Sequence, residues 1–184
     1  MSKPSWISNL GFRGLAFLLR LRERSGSPRK QIEALGLRRG QVVLDYGCGI
    51  GSYTLPAARM VGEVGTVHAL DIHPLAVETV RKRSVQENLP NVQTILSGLE
   101  TGLADESVDV VLLYDVFHQV DDRGALLREL HRILKAGGLL SVIPDHMGEA
   151  ELLEAVPAGQ LFSLQPRHTQ SFEFGKRASG ESAQ

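Results

Sequence analysis

The stretch VVLDYGCGIGSYTLPAA, residues 42–58, constrains the rest of the chain more than any other. Val42, Val43 and Leu44 form the short β-branched and apolar run of a strand covered on both faces, as in a parallel sheet, and Asp45 closes it. Gly47, Gly49 and Gly51 follow at alternate positions, where a missing Cβ permits positive φ and lets a ligand lie against the backbone. Cys48 fills one of the small positions between them. Ser52 is expected to cap a helix whose unpaired N–H groups point back at the turn. A strand, a glycine turn and a helix N-terminus in this order make a nucleotide-type cofactor site on an α/β sheet.

The spacing excludes two cofactor classes. No Gly-Lys-Ser/Thr follows the turn, so nothing there would hold a β- or γ-phosphate. The third glycine of a dinucleotide fingerprint would fall at position 52, which is Ser52; the glycine stands one place earlier, at Gly51. Asp45-x-Gly47-x-Gly49-x-Gly51 instead closely resembles the first motif of the class I S-adenosylmethionine (SAM)-dependent methyltransferases. SAM carries an α-amino group and a sulfonium, both attracted by an acid beside the turn.

A second strand is expected over residues 66–70, ending in Asp71, 20 residues after Gly51. An acid there can accept both ribose hydroxyls, the task the resemblance implies; the alternative is an N-cap for the helix opening at Pro74. The resemblance also implies cofactor contacts at Ile72 and at Gly98, Leu99 and Glu100 after a third strand over 92–96. Related enzymes commonly place an adenine-binding acid after Ser97, where this chain has Gly98.

The run SVDVVLLYDVFHQVDDRGALLRELHRILKAGGLLSVI, residues 107–143, carries the strongest resemblance outside the turn. It reads as a strand over 108–113, a crossing of the strand's carboxyl end by residues 114–118, a helix opened by Asp121 and Asp122, an end at Gly137 and Gly138, and a strand over 139–143. Tyr114 joins the expected cofactor contacts. Residues 30–145 together are most similar to small-molecule methyltransferases of type 11, which include the ubiquinone and menaquinone C-methylating enzymes. The resemblance implies a doubly wound Rossmann-like α/β sandwich, with a mostly parallel seven-stranded sheet and an antiparallel last strand.

The chain has 184 residues, 42% of them hydrophobic, which suits one domain. The expected division is an N-terminal arm over 1–27, a SAM-binding domain over 28–177 and a disordered tail over 178–184. Helices are expected over 28–37, 52–61, 74–88 and 149–156, and further strands over 160–165 and 169–174. In the helix after Pro74, Leu75, Val77, Val80 and Val85 are the expected core contacts, with Arg81, Lys82 and Arg83 on the wet face. The single cysteine excludes an internal disulfide and any CxxC pair, and no metal site is expected. No apolar run approaches a membrane span and residues 1–10 lack the regions of a signal peptide, so a cytoplasmic protein is expected.

Residues 1–40 carry nine Lys/Arg against two Glu, a net +7 in a chain whose total is −1. Within them GFRGLAFLLRLRER, residues 11–24, is apolar on one side and basic toward its end, as a packed helix or a lid would be. With Trp6, Ile7, Leu10, Phe12, Phe17 and Leu18 it offers a lid over the acceptor side of the cofactor, hinged at Ser25-Gly26-Ser27-Pro28. The function implied is methyl transfer to a small molecule by in-line displacement, with S-adenosylhomocysteine as the product. The acceptor would be anionic or membrane-associated, the protein a monomer or homodimer, and no nucleic-acid partner is expected. His118 is the candidate base if the acceptor must lose a proton, with His146 second. The alternative is a SAM-binding sensor or partner subunit without catalysis.

Overall fold

The computed structural model describes residues 9–24, 26–144, 147–157, 160–166 and 170–177. Seven strands form one sheet: β1 (Val42–Tyr46), β2 (Thr66–Asp71), β3 (Val92–Leu96), β4 (Val108–Tyr114), β5 (Leu134–Ile143), β6 (Phe162–Leu164) and β7 (Phe172–Lys176). Their order is β3-β2-β1-β4-β5-β7-β6, and only β7 runs antiparallel to its neighbours. The doubly wound sheet expected from the sequence is therefore present. Because the chain winds outward from β1 through β2 to β3 and then returns to β4, the order reverses between β1 and β4, which opens a crevice at their carboxyl ends.

Among the described residues six α-helices accompany the sheet: α1 (Asn9–Arg24), α2 (Ser27–Leu35), α3 (Thr54–Val61), α4 (Pro74–Gln86), α5 (Arg123–Ile133) and α6 (Glu149–Ala155). Side chains alternate along β4, so Val111 and Leu113 join Leu126, Leu127, Leu130 and Ile133 of α5 in one core layer. Val110, Leu112 and Tyr114 join Ile32 of α2 and Tyr53, Ala57 and Val61 beside the sheet's other face. The central strands are thus buried on both sides, which is why 42–44 and 110–113 read as continuous apolar runs. Among the described residues no helix is long and apolar enough to cross a membrane.

Several local expectations are corrected. α3 starts at Thr54 and its N-cap is Tyr53, so Ser52 caps nothing. Val85 is 74% exposed, and Ala76 and Ser84 take its place in the core face of α4. Arg83 leaves the wet face to pair with Glu23 of α1, and both side chains are 22% exposed. α5 ends at Ile133 rather than at the glycines, because Leu134 already pairs with Val108 in the sheet; the register shifts before Leu139 meets Val110, and Gly137 takes φ +72° within that irregularity. The last two strands are β6 and β7 at 162–164 and 172–176, the first shorter than the expected 160–165 and the second starting three residues later than the expected 169–174. Trp6, Ile7, Ser25, His146 and the tail 178–184 lie outside the described residues.

Candidate cofactor site at the strand ends

The glycine turn is held by its neighbour strand. Gly47 and Cys48 both donate their backbone N–H to the Leu70 carbonyl, at 2.8 and 2.9 Å, and Gly51 donates to the Cys48 carbonyl at 2.8 Å. Gly47, Gly49 and Gly51 have φ of +80°, +53° and +86°. Gly47 also has no room for a side chain: a Cβ there would stand 2.9 Å from Val116.

Two acids flank this turn. Asp45 is 2% exposed, and Thr54 Oγ1 donates to its Oδ2 at 2.5 Å. Burial pushes its carboxyl up to about 7, against the Thr54 hydrogen bond, with Asp71 and Asp115 adding repulsion. Asp71 ends β2 and accepts two backbone N–H groups, Gly49 on Oδ2 at 3.0 Å and His73 on Oδ1 at 2.8 Å. Burial raises its carboxyl as well, opposed mainly by those bonds. Asp71 thus ties the turn to the start of α4, and the N-cap of that helix is His73, whose Nδ1 accepts from the Leu75 N–H at 3.2 Å.

Along the crevice toward β3, Tyr46 donates its hydroxyl hydrogen to the Gly98 carbonyl at 3.2 Å. A Cβ on Gly98 would meet only Ile72 Cγ2, at 3.5 Å, and Leu96 and Leu99 are 56% and 39% exposed. Ile72, Leu96 and Leu99 therefore offer apolar surface beside an open backbone, and Glu100 stands exposed beyond them, its carbonyl accepting from Ser97 Oγ at 2.5 Å. Cys48 packs against Ala69 and Val80, and burial raises its thiol well above the ordinary range, so it serves as a small apolar filler.

Tyr114 sits apart from this crevice surface. It is 3% exposed, its hydroxyl shares a 2.8 Å hydrogen bond with Ser141 Oγ, and its ring packs edge-on to Tyr53 with centroids 4.7 Å apart. The next residue, Asp115, takes φ +60° at the carboxyl end of β4. A non-glycine residue in that region is strained, and such strain persists at sites where surrounding structure imposes it. His118 follows in a 3-10 turn over Phe117–Gln119; Gln119 Nε2 contacts its Nε2 at 3.1 Å and the Asp115 carbonyl at 3.4 Å. The structure therefore gathers Asp45, the three glycines, Asp71, Ile72 and Gly98 around one crevice, with Asp115 and His118 at its β4 rim.

Thr54, Tyr46, His73 and Asp115 were not singled out in the sequence. Thr54 stands nine residues after Asp45, within the same motif, which is a usable signal. Tyr46 acts through a bond to Gly98 fixed only by the fold, whereas the bonds of His73, to Asp71 and Leu75, are local. A pocket of about 160 Å³ lined by Glu23, Gly51, Ser52, Arg59, Arg83 and Glu87 reaches the turn at Gly51 and is lined by none of the strand-end acids.

The residues present fit SAM. Asp45, buried, and Asp71, half-buried, stand at the ends of β1 and β2 beside the glycine turn, both pushed up by burial as a nearby cation would offset, and the apolar strip by Gly98 offers a flat ring a surface. Comparison with known proteins agrees. Residues 44–142 match a family described as a methyltransferase domain. The chain is 39% identical over 104 residues to aklanonic acid methyltransferase DauC of Streptomyces sp., covering 55% of this chain and 47% of that protein. It is 32% identical over 143 residues to ubiquinone/menaquinone biosynthesis C-methyltransferase UbiE of Pectobacterium carotovorum, covering 76% and 56%. The chain thus spans about half the length of the curated relatives it matches. A SAM-dependent methyltransferase from Aquifex aeolicus shares the fold, with a TM-score of 0.69 at 24% identity over 81% of this chain and 88% of that one.

Proposed function

The chain belongs to the methyltransferase-domain family, as a class I SAM-dependent methyltransferase, and on that premise we propose that it methylates a small-molecule acceptor by in-line displacement. The observation that carries this reading is the Asp71 carboxylate held by the Gly49 and His73 N–H groups beside a turn of three positive-φ glycines. When bound, SAM supplies an electrophilic methyl carbon on a sulfonium sulfur. Asp71 keeps lone pairs for the ribose hydroxyls, since each carboxylate oxygen accepts more than one hydrogen bond. Asp45 sets negative charge against the cofactor's amino group through a carboxyl already fixed by Thr54. Ile72 and Leu99 would hold the adenine by apolar contact, and Tyr46 fixes the Gly98 carbonyl beside them.

Bound SAM would offer its methyl carbon to the acceptor's nucleophile, the new bond forming as the carbon–sulfur bond breaks and S-adenosylhomocysteine leaves as a neutral thioether. Any proton released from the acceptor passes to His118 or to water. Alignment and exclusion of water supply most of the rate in such a transfer. In this reading helix α1, which packs Phe12 against Ile50 and Ala76, serves as the lid that excludes water. The aklanonic acid named for one relative and the ubiquinone/menaquinone biosynthesis named for the other support a small-molecule acceptor, and the basic surplus of residues 1–40 supports one that is anionic or presented at a membrane surface.

Native mass spectrometry of the purified chain, followed by transfer of labelled methyl from SAM to a panel of phenolic, quinol and carboxylic acceptors, tests this. Retained SAM or S-adenosylhomocysteine and label in an acceptor are expected. No binding of SAM in titration would refute the cofactor, and binding without transfer to any acceptor class would refute the activity.

A further inference from the structure

Helix α1 touches the cofactor turn and its supports at three points. The Phe12 ring stacks on the His73 imidazole, centroids 4.6 Å apart and planes 14° from parallel. Leu19 Cδ1 lies 3.6 Å from where a Cβ on Gly49 would stand. At the far end Glu23 meets Arg83 of α4, whose Nη1 donates to Glu23 Oε1 at 2.7 Å and Nη2 to Oε2 at 3.2 Å. The same Nη1 donates to the Ile50 carbonyl at 2.8 Å, inside the glycine turn, and Glu87 Oε1 stands 3.7 Å from Nη2.

The bond to Ile50 matters because a peptide unit is a rigid plane. The Ile50 carbonyl and the Gly51 N–H belong to one such plane, so holding both ends fixes its direction. Arg83 holds the carbonyl and the Cys48 carbonyl holds the N–H, at 2.8 Å each. Gly51 at φ +86° offers little resistance of its own, because a glycine tolerates a rotated plane as readily as the native one. An arginine's planar fork can serve a carboxylate and a carbonyl together; a lysine presents one point charge. With both side chains 22% exposed, the pair is screened less than a surface pair.

We propose that Arg83 is a positioning residue for SAM: it fixes the Ile50–Gly51 peptide of the glycine turn and makes that geometry depend on the docking of α1 through Glu23. The proposal rests on the reading of the turn as the cofactor site. It makes α1 a clamp on the cofactor turn as well as a cover, and couples its docking to SAM affinity in both directions.

The test uses the full chain with Arg83→Gln, Arg83→Lys, Glu23→Gln and the Arg83→Gln/Glu23→Gln pair, with Arg81→Gln as the control on the exposed side of α4. SAM affinity is read by calorimetry, and amide exchange of residues 49–52 is read without ligand. Arg83→Gln is expected to weaken SAM about tenfold, within the usual range for coupled sites. Arg83→Lys should recover part of that loss and Glu23→Gln lose about threefold, while the pair should be no worse than Arg83→Gln alone. Exchange across residues 49–52 should speed up in Arg83→Gln and stay as in the native chain in Arg81→Gln. A purely structural role would lower the melting temperature without this pattern. Binding within twofold of the native chain for Arg83→Gln, full rescue by lysine, additive losses, or unchanged exchange would each overturn the proposal. Should Arg83→Gln fail to fold, unchanged affinity and exchange in Glu23→Gln overturn it. Should the native chain bind no SAM, the functional reading fails, and the exchange measurement still decides the role of Arg83.

Discussion

Asp45 gives the site a pH dependence whose size follows from its burial. The carboxyl is 2% exposed and pushed from the ordinary 3.8 up to about 7, so the folded protein retains a proton that the unfolded chain has released. Below about pH 4 both states hold the proton and Asp45 costs nothing. Between there and about 7 stability falls as pH rises, and above 7 the full cost is present. At 1.36 kcal/mol per pH unit the interval amounts to about 4 kcal/mol, an upper figure for a carboxyl that also keeps its Thr54 hydrogen bond. Asp45→Asn retains an oxygen for Thr54 and removes the ionisation. Without ligand it should match the native chain near pH 4 and exceed its unfolding free energy by several kcal/mol at pH 8. Urea denaturation of both proteins from pH 4 to 8.5 measures the difference. A difference that stays flat with pH, or a variant that is less stable at pH 8, would refute the burial argument. SAM should bind Asp45→Asn more weakly at pH 8, because the carboxylate that costs stability is also the charge that meets the cofactor.

Three further outcomes follow from the same geometry. Asp71→Ala removes the acceptor of the Gly49 and His73 N–H groups along with the expected ribose partner, and should cost about 1.5–3 kcal/mol of SAM affinity by titration. Gly98→Asp meets only Ile72 Cγ2 at 3.5 Å, so the backbone accepts it, and SAM should bind about 1 kcal/mol more tightly if the added carboxylate reaches the adenine amino group; weaker binding would place the adenine elsewhere. Deleting residues 1–24 removes Phe12, Leu19 and Glu23 together, so methyl transfer should be lost and SAM affinity should drop by at least the Glu23→Gln amount; transfer at the full rate would show that α1 is not a cover.

The sequence by itself determined the sheet and the acids of the candidate site. Strand runs such as 42–44 and 108–113 are legible because a strand buried on both faces must be apolar at successive positions, and Asp45, the glycines and Asp71 because their spacing along the chain is the site's geometry. What lay outside local pattern was decided by tertiary contact. Val85 and Arg83 stand two residues apart on α4; Val85 is left 74% exposed, while Arg83 is half-buried where it meets Glu23 of α1. Leu134 carries a helical period yet joins β5, because pairing with Val108 outweighs one more helical turn. Ser52 has the chemistry of a cap, but the turn closes one step later, and Thr54 goes to Asp45 instead. Glu23 and Arg83 are 60 residues apart, and Tyr46 and Gly98 are 52 apart. Side-chain bonds across such separations leave no periodic trace, because their geometry exists only after the helices have packed against the sheet.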